Sequence, residues 1–153
     1  MRTQLAKTLD WGEAHADFDA AVKDFPAALR GKRLDGLPYS AWQILEHLRI
    51  AQHDILDFSR NAKYEEMKWP DDYWPASPVP KSAAAWNRAL ADYRADRRAM
   101  QRFVVTPGTD LLAKIPHGSG QTVLRELLLV ADHTAYHVAQ IVDIRRALGH
   151  WPS

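Results

Sequence analysis

The 153-residue sequence predicts an all-α fold, a four-helix bundle with a long crossover connection between the second and third helices. Three observations predict it. Four stretches repeat apolar residues at three- and four-residue spacing, and no stretch alternates apolar and polar residues for long enough to make a strand. The link between the second and third stretches is also far longer than neighbouring up-and-down helices need. Apolar residues at 46% and charged residues at 25% suit one ordinary globular domain over residues 1–153, with a shared core for the helices.

The first helix is expected from about Trp11 to Leu29, with Phe18, Ala21, Val22, Phe25 and Leu29 on one face and Pro26 bending or shortening it. The second starts at Ser40, because "SAWQ" supplies the N-cap serine and N3 glutamine of a capping box. Its apolar stripe is Ile44, Leu48, Ala51 and Ile55. The connection "YEEMKWPDDYWPASPVPK" is too rich in Pro, Asp and Trp for a regular element, and its aromatic content predicts a segment packed over the bundle. Ser82 caps the third helix, along which Trp86, Leu90, Tyr93, Arg97 and Met100 follow helical spacing. The fourth begins near Gln121 or Thr122 and runs to about Leu148, with Gly149 as its stop.

A formal net charge of +1 creates no field that would attract nucleic acid. Cysteine is absent, so a metal here has only nitrogen and oxygen ligands. The N-terminal stretch lacks an apolar signal-like region, and no segment approaches the roughly 18–20 apolar residues of a membrane span. A soluble, cytoplasmic protein without a membrane partner is expected.

The histidines sort by helical position. At about 100° per residue, His47 lies roughly 80° from the centre of the second helix's stripe, at the core edge, whereas His53 lies roughly 160° away and faces solvent. On the fourth helix the stripe is Val123, Leu127, Val130, Thr134, Ile141 and Leu148. His133 and His137 flank it by roughly 60–100° and stack one turn apart. A histidine pair of this spacing, taken alone, is better explained by hydrogen-bonded flank positions. His47 at the matching edge of another helix makes a three-nitrogen metal site the sharper alternative. Three neutral imidazoles suit Zn(II), Ni(II), Fe(II) or Cu(II) and leave a coordination position for water or substrate. His15, His117 and His150 fall on charged, loop or terminal segments and are expected at the surface, with His117 able to approach a bundle end or a partner subunit.

Polar residues at seven-residue spacing share each histidine's face: Glu126 before His133, Gln140 after His133 and Asp54 after His47. A carboxylate there that accepts a ring N–H would fix the tautomer, although ordinary surface charge is the favoured reading of Glu126 and Asp54. Trp69, Tyr73, Trp74 and Tyr136 are candidates to line an apolar cleft over the site, with core packing as the alternative.

The order "WQILEHL", "WPDDYWP", "PHGSGQTVLREL" and "ADHTAYHVAQIV" resembles the DinB/YfiT-like superfamily of metalloenzymes over nearly the whole chain. The resemblance implies a four-helix bundle, often dimeric, that holds a divalent metal, zinc or nickel among others, through three histidines. These map onto His47, His133 and His137. It also implies thiol-dependent transferase or isomerase chemistry with low-molecular-weight thiols such as bacillithiol or mycothiol.

Two functions follow as expectations. One is a metal-dependent enzyme acting on a small molecule, a thiol-dependent transferase or related hydrolase in which the ion activates water or a thiol. The other is a non-catalytic, dimeric, stress-associated bundle in which metal or hydrogen bonds tie the second helix to the fourth.

Overall fold

The computed structural model describes residues 1–151, and among them every regular element is helical. The described residues form five α-helices: α1 (Arg2–Lys7), α2 (Phe18–Val22), α3 (Ala41–Arg60), α4 (Ala83–Val105) and α5 (Val123–Ala147). The described residues form no strand, and an isolated bridge joins Lys114 to Thr122 just before α5. No described helix is long and apolar enough to cross a membrane.

The three long helices begin where their caps dictate. Ser40 accepts from the Gln43 amide, and the Gln43 side chain takes the Ser40 amide in return, completing the expected capping box. Ser82 and Thr122 accept from the amides of Ala85 and Arg125. Gly149, at φ +71°, occupies the left-handed conformation that ends α5.

The expected first helix, Trp11–Leu29, is not continuous. Asp17 caps the short α2, whose face buries Phe18, Ala21 and Val22. Asp24 then turns left-handed at φ +51°, Pro26 restricts Phe25 away from helical geometry, and a single 3-10 turn follows over Ala27–Leu29. Arg145 of α5 compensates: its guanidinium donates to the carbonyls of Ala21 and Lys23, placing a cation where α2 leaves acceptors exposed. Across the molecule, Arg94 and Arg97 of α4 both grip Asp19 of α2 at 2.7 Å. Helix α1 lay outside the sequence-based expectation. It packs on α4, where Arg2 donates to the Val104 carbonyl at 2.7 Å.

The apolar faces of α3, α4 and α5 meet in two clusters. One gathers Phe18, Leu45, Trp86, Tyr93 and Ile141; the other gathers Leu9, Leu56, Met100, Val104 and Leu127. The buried face of α3 is broader than its expected stripe. Ala41, Leu45 and Leu56 are its most enclosed residues, while Ile55 is only partly buried, because α3 is pressed by α4 on one side and α5 on the other. Trp42 meets Trp86, and Gln52 donates to the Tyr93 carbonyl at 2.7 Å.

The connection from residue 61 to 82 lies against α3 through specific polar bonds. Ser40 donates its hydroxyl to the Pro78 carbonyl, and Gln43 donates its amide to the Pro75 carbonyl at 3.2 Å. Val79 packs directly on Gly31, where a Cβ would stand 2.1 Å from a Val79 methyl, so only glycine admits this approach. Ser40 is thus both a helix cap and an anchor for the connection, whereas exposed Ser82 only caps. Urea denaturation should show Ser82→Ala lowering stability by about 1 kcal/mol and Ser40→Ala by about 2–3 kcal/mol. Equal losses would mean that the Pro78 contact contributes nothing.

Candidate metal centre

Helix α3 runs against α5 so that the edge of one apolar face meets the edge of the other. His47 projects from α3, and His133 and His137 from successive turns of α5, into this seam. One ring nitrogen of each lies within 4.8 Å of the others. His47 Nε2 and His133 Nε2 are 3.0 Å apart, and the three rings stand edge to face with centroids 4.5–4.9 Å apart. His47 is 2% exposed and His137 6%, while His133 is only partly buried and opens toward solvent.

The second nitrogen of two rings is committed elsewhere. His47 Nδ1 donates to the Tyr73 carbonyl at 3.0 Å, and His137 Nδ1 donates to Gln140 Oε1 at 2.7 Å. Both acceptors are oxygens without a proton to give, so each neutral ring keeps its Nε2 lone pair for the seam. Burial pushes His47 down to about 4, against the partial support of the Tyr73 carbonyl. Burial, joined by the other two rings, pushes His133 down to about 3. His137 is also lowered, by burial, with Gln140 opposing. The cluster is therefore three uncharged imidazoles, the form in which histidine ligates a metal.

The His47–His133 spacing suits an ion. Two nitrogens each about 2.0–2.1 Å from one metal stand about 2.9–3.4 Å apart for angles between a right angle and tetrahedral. The 3.0 Å approach of His47 to His133 falls in that interval. With nitrogen donors and no thiolate in the chain, the set suits a borderline divalent transition metal.

The connection holds the His47 ring from behind. Tyr39, Trp74 and His47 form a continuous stack, with centroid spacings of 3.7 and 3.8 Å and interplanar angles of 12° and 5°. Tyr73, which ends a 3-10 turn at Asp71–Tyr73, gives its carbonyl to His47 and its hydroxyl to Asp54 Oδ2 at 2.6 Å. Tyr64 donates to the other Asp54 oxygen at 2.8 Å. Burial, and then the bond to Asp54, push the Tyr64 hydroxyl up to about 12 and raise that of Tyr73 further, so both remain protonated donors. Asp54 thus supports His47 indirectly, through the tyrosine whose carbonyl holds the ring.

The expected site residues are distributed unevenly. His47, His133 and His137 converge. Gln140 does touch a ring, but that of His137, three residues before it, because adjacent turns bring those side chains together. Glu126 bonds to Arg125 and not to an imidazole, and it is buried, contrary to the surface-charge reading. The four aromatic candidates do not form an apolar cleft, nor do they join the core. Trp74 stacks on His47, the Tyr73 ring turns toward Asp54, and Trp69 and Tyr136 are 67% and 63% exposed beside His47 and His137. The roles of Tyr39 and of the Tyr73 carbonyl carry no signal in helical periodicity, because both lie outside the long helices. His15, His117 and His150 are exposed as expected, and exposed His53 pairs with Asp96 at 2.9 Å.

A sequence model of the DinB superfamily matches residues 10–141. The chain belongs to the DinB superfamily. No curated protein and no solved structure matches it significantly. The matched span of this DinB protein contains all three clustered histidines together with the Tyr39–Trp74 stack, and ends one residue after Gln140.

The depressed histidines give the metal-free DinB fold a definite acid response. The unfolded chain protonates His47 near 6.5 while the folded chain resists until about 4, so the unfolded state binds more protons in that interval. Stability is fully present above 6.5 and is lost as pH falls toward 4. In EDTA-treated protein the urea midpoint should decline across this window, and His47→Gln should flatten the decline; an unchanged slope would contradict burial as a neutral ring.

Proposed function

We propose that this protein binds one divalent transition-metal ion, zinc or nickel, through the Nε2 atoms of His47, His133 and His137, and that it is a metal-dependent enzyme of the thiol-transferase or hydrolase type. The observation that carries the proposal is the pairing of geometry with tautomer. Two ring nitrogens approach to 3.0 Å, and separate acceptors occupy the far nitrogens of two rings. Three protein ligands leave a coordination position open, which distinguishes a reactive site from a purely structural one.

When bound, such an ion supplies Lewis acidity toward a water or thiol at that position. The chain's own contributions are separate. The Tyr73 carbonyl and Gln140 orient the ligating rings, and the Trp74 face excludes water from the back of His47. Exposed Trp69 and Tyr136 flank the entrance and offer aromatic surface to a small-molecule substrate or to a low-molecular-weight thiol as co-substrate.

The wider reading is a single DinB-like domain, a four-helix bundle in which α3 and α4 run side by side in the same direction. Trp42 meets Trp86 near their starts and His53 meets Asp96 further along, a direction that supports a connection crossing the bundle. A cytoplasmic homodimer completes the proposal.

Freshly purified protein should contain about one metal ion per chain. His47→Ala should lose the ion while retaining helical circular dichroism, and Gln140→Ala should weaken metal affinity about 10–100-fold by releasing the His137 ring. Protein that takes up neither zinc nor nickel on reconstitution would falsify the metal reading. Metal-replete protein that consumes no low-molecular-weight thiol with any electrophile, and hydrolyses nothing, would favour the non-catalytic bundle.

A further inference from the structure

The three histidines of the seam are not equivalent. His47 and His137 are 2% and 6% exposed, and each commits its Nδ1–H to a fixed oxygen, the Tyr73 carbonyl at 3.0 Å and Gln140 Oε1 at 2.7 Å. His133 is only partly buried, and its Nδ1 meets no acceptor among the described residues. Nor is that nitrogen enclosed by protein: it is open to water.

These partners decide where the protons lie in the metal-free seam. A neutral imidazole carries one N–H, so His47 and His137, with Nδ1–H committed, present bare Nε2 lone pairs. The 3.0 Å contact between His47 Nε2 and His133 Nε2 therefore takes its proton from His133. His133 is the opposite tautomer, an Nε2–H donor that fills the lone pair of His47. The Nε2 of His137 has no hydrogen-bond partner among the described residues. One proton thus joins two of the nitrogens that a metal would join.

We propose that His133 is the exchangeable ligand of this centre, a gate that closes the metal-free seam through its bond to His47 and coordinates only after changing tautomer. The inference rests on the metal reading of the three histidines. To ligate through Nε2, His133 releases that proton to water and takes one from water at Nδ1, so the ring stays neutral and the protons balance. Its water-facing Nδ1 permits the exchange, whereas the oxygen-held Nδ1 atoms of His47 and His137 already carry their protons.

An acceptor on the far nitrogen of a ligating histidine fixes its ring and strengthens it as a ligand. His47 and His137 have such acceptors and His133 has none, so His133 is the ring that arrives last and departs first. Its departure leaves the other two rings on their acceptors and frees a second position for a substrate atom.

Nitrogen–proton correlation spectra of the imidazoles in the full-length protein, EDTA-treated and then titrated with zinc, test the exchange. Metal-free protein should show Nδ1–H tautomers for His47 and His137 and an Nε2–H tautomer for His133, the last signal disappearing in His133→Asn. Zinc should convert His133 alone to the Nδ1–H form. His133→Asn, whose amide can still donate to His47, should keep helical circular dichroism and bind zinc about tenfold or more tightly than His137→Asn does. Two outcomes overturn the exchange: an Nδ1–H tautomer of His133 before zinc is added, or zinc binding by His133→Asn no tighter than by His137→Asn. A wild-type chain that shows the stated tautomers yet takes up no zinc overturns the metal reading, and the exchange falls with it.

Discussion

The burial of an uncharged His47 between α3 and α5 is the constraint around which the functional half of the molecule is organised. A ring at 2% exposure has two nitrogens to satisfy, and no water reaches it freely. One nitrogen is met by the Tyr73 carbonyl and the other by the seam it shares with His133. The first contact requires the connection to be held close, and the second requires α5 to lie at one rotation about its axis. Desolvation, which depresses all three histidines, therefore also presents them as neutral donors.

The connection is held from both ends of the His47 contact. Upstream, Asp54 takes the hydroxyls of Tyr64 and Tyr73; downstream, the capping box of α3 reaches out through Ser40 and Gln43 to Pro78 and Pro75. Between them Trp74 lies flat on the imidazole, with Tyr39 behind it. Atoms that start a helix thus also position a ring two turns later. Local helix chemistry and site geometry are coupled through the same side chains.

The N-terminal segment contributes packing more than regularity. Its interrupted helix is stabilised by charged side chains from two long helices, Arg145 against the carbonyls that α2 leaves free and Arg94 with Arg97 against Asp19. Phe18 then stacks on Tyr93 at 4.0 Å, and the Tyr93 hydroxyl meets Thr134 at 3.1 Å, which links α2, α4 and α5 behind the histidines. The open side of the seam is left to His133 and Tyr136.

The sequence by itself determined the helical class, the starts of the three long helices at Ser40, Ser82 and Thr122, and the three histidines at the edges of two apolar faces. Those features depend on neighbours within a few residues, where caps and a 3.6-residue period act directly. Tertiary structure decided the rest. That Gln140 serves His137, that Glu126 is buried beside Arg125, that Trp74 covers His47 and that a carbonyl of Tyr73 selects its tautomer all depend on rotations and contacts between distant segments. The break in the expected first helix belongs to both levels. Pro26 announced a bend, but the left-handed Asp24 and the docking of Arg145 emerge only once α2 is pressed against α5. Helical periodicity states which face a side chain shares; only packing states what it meets there.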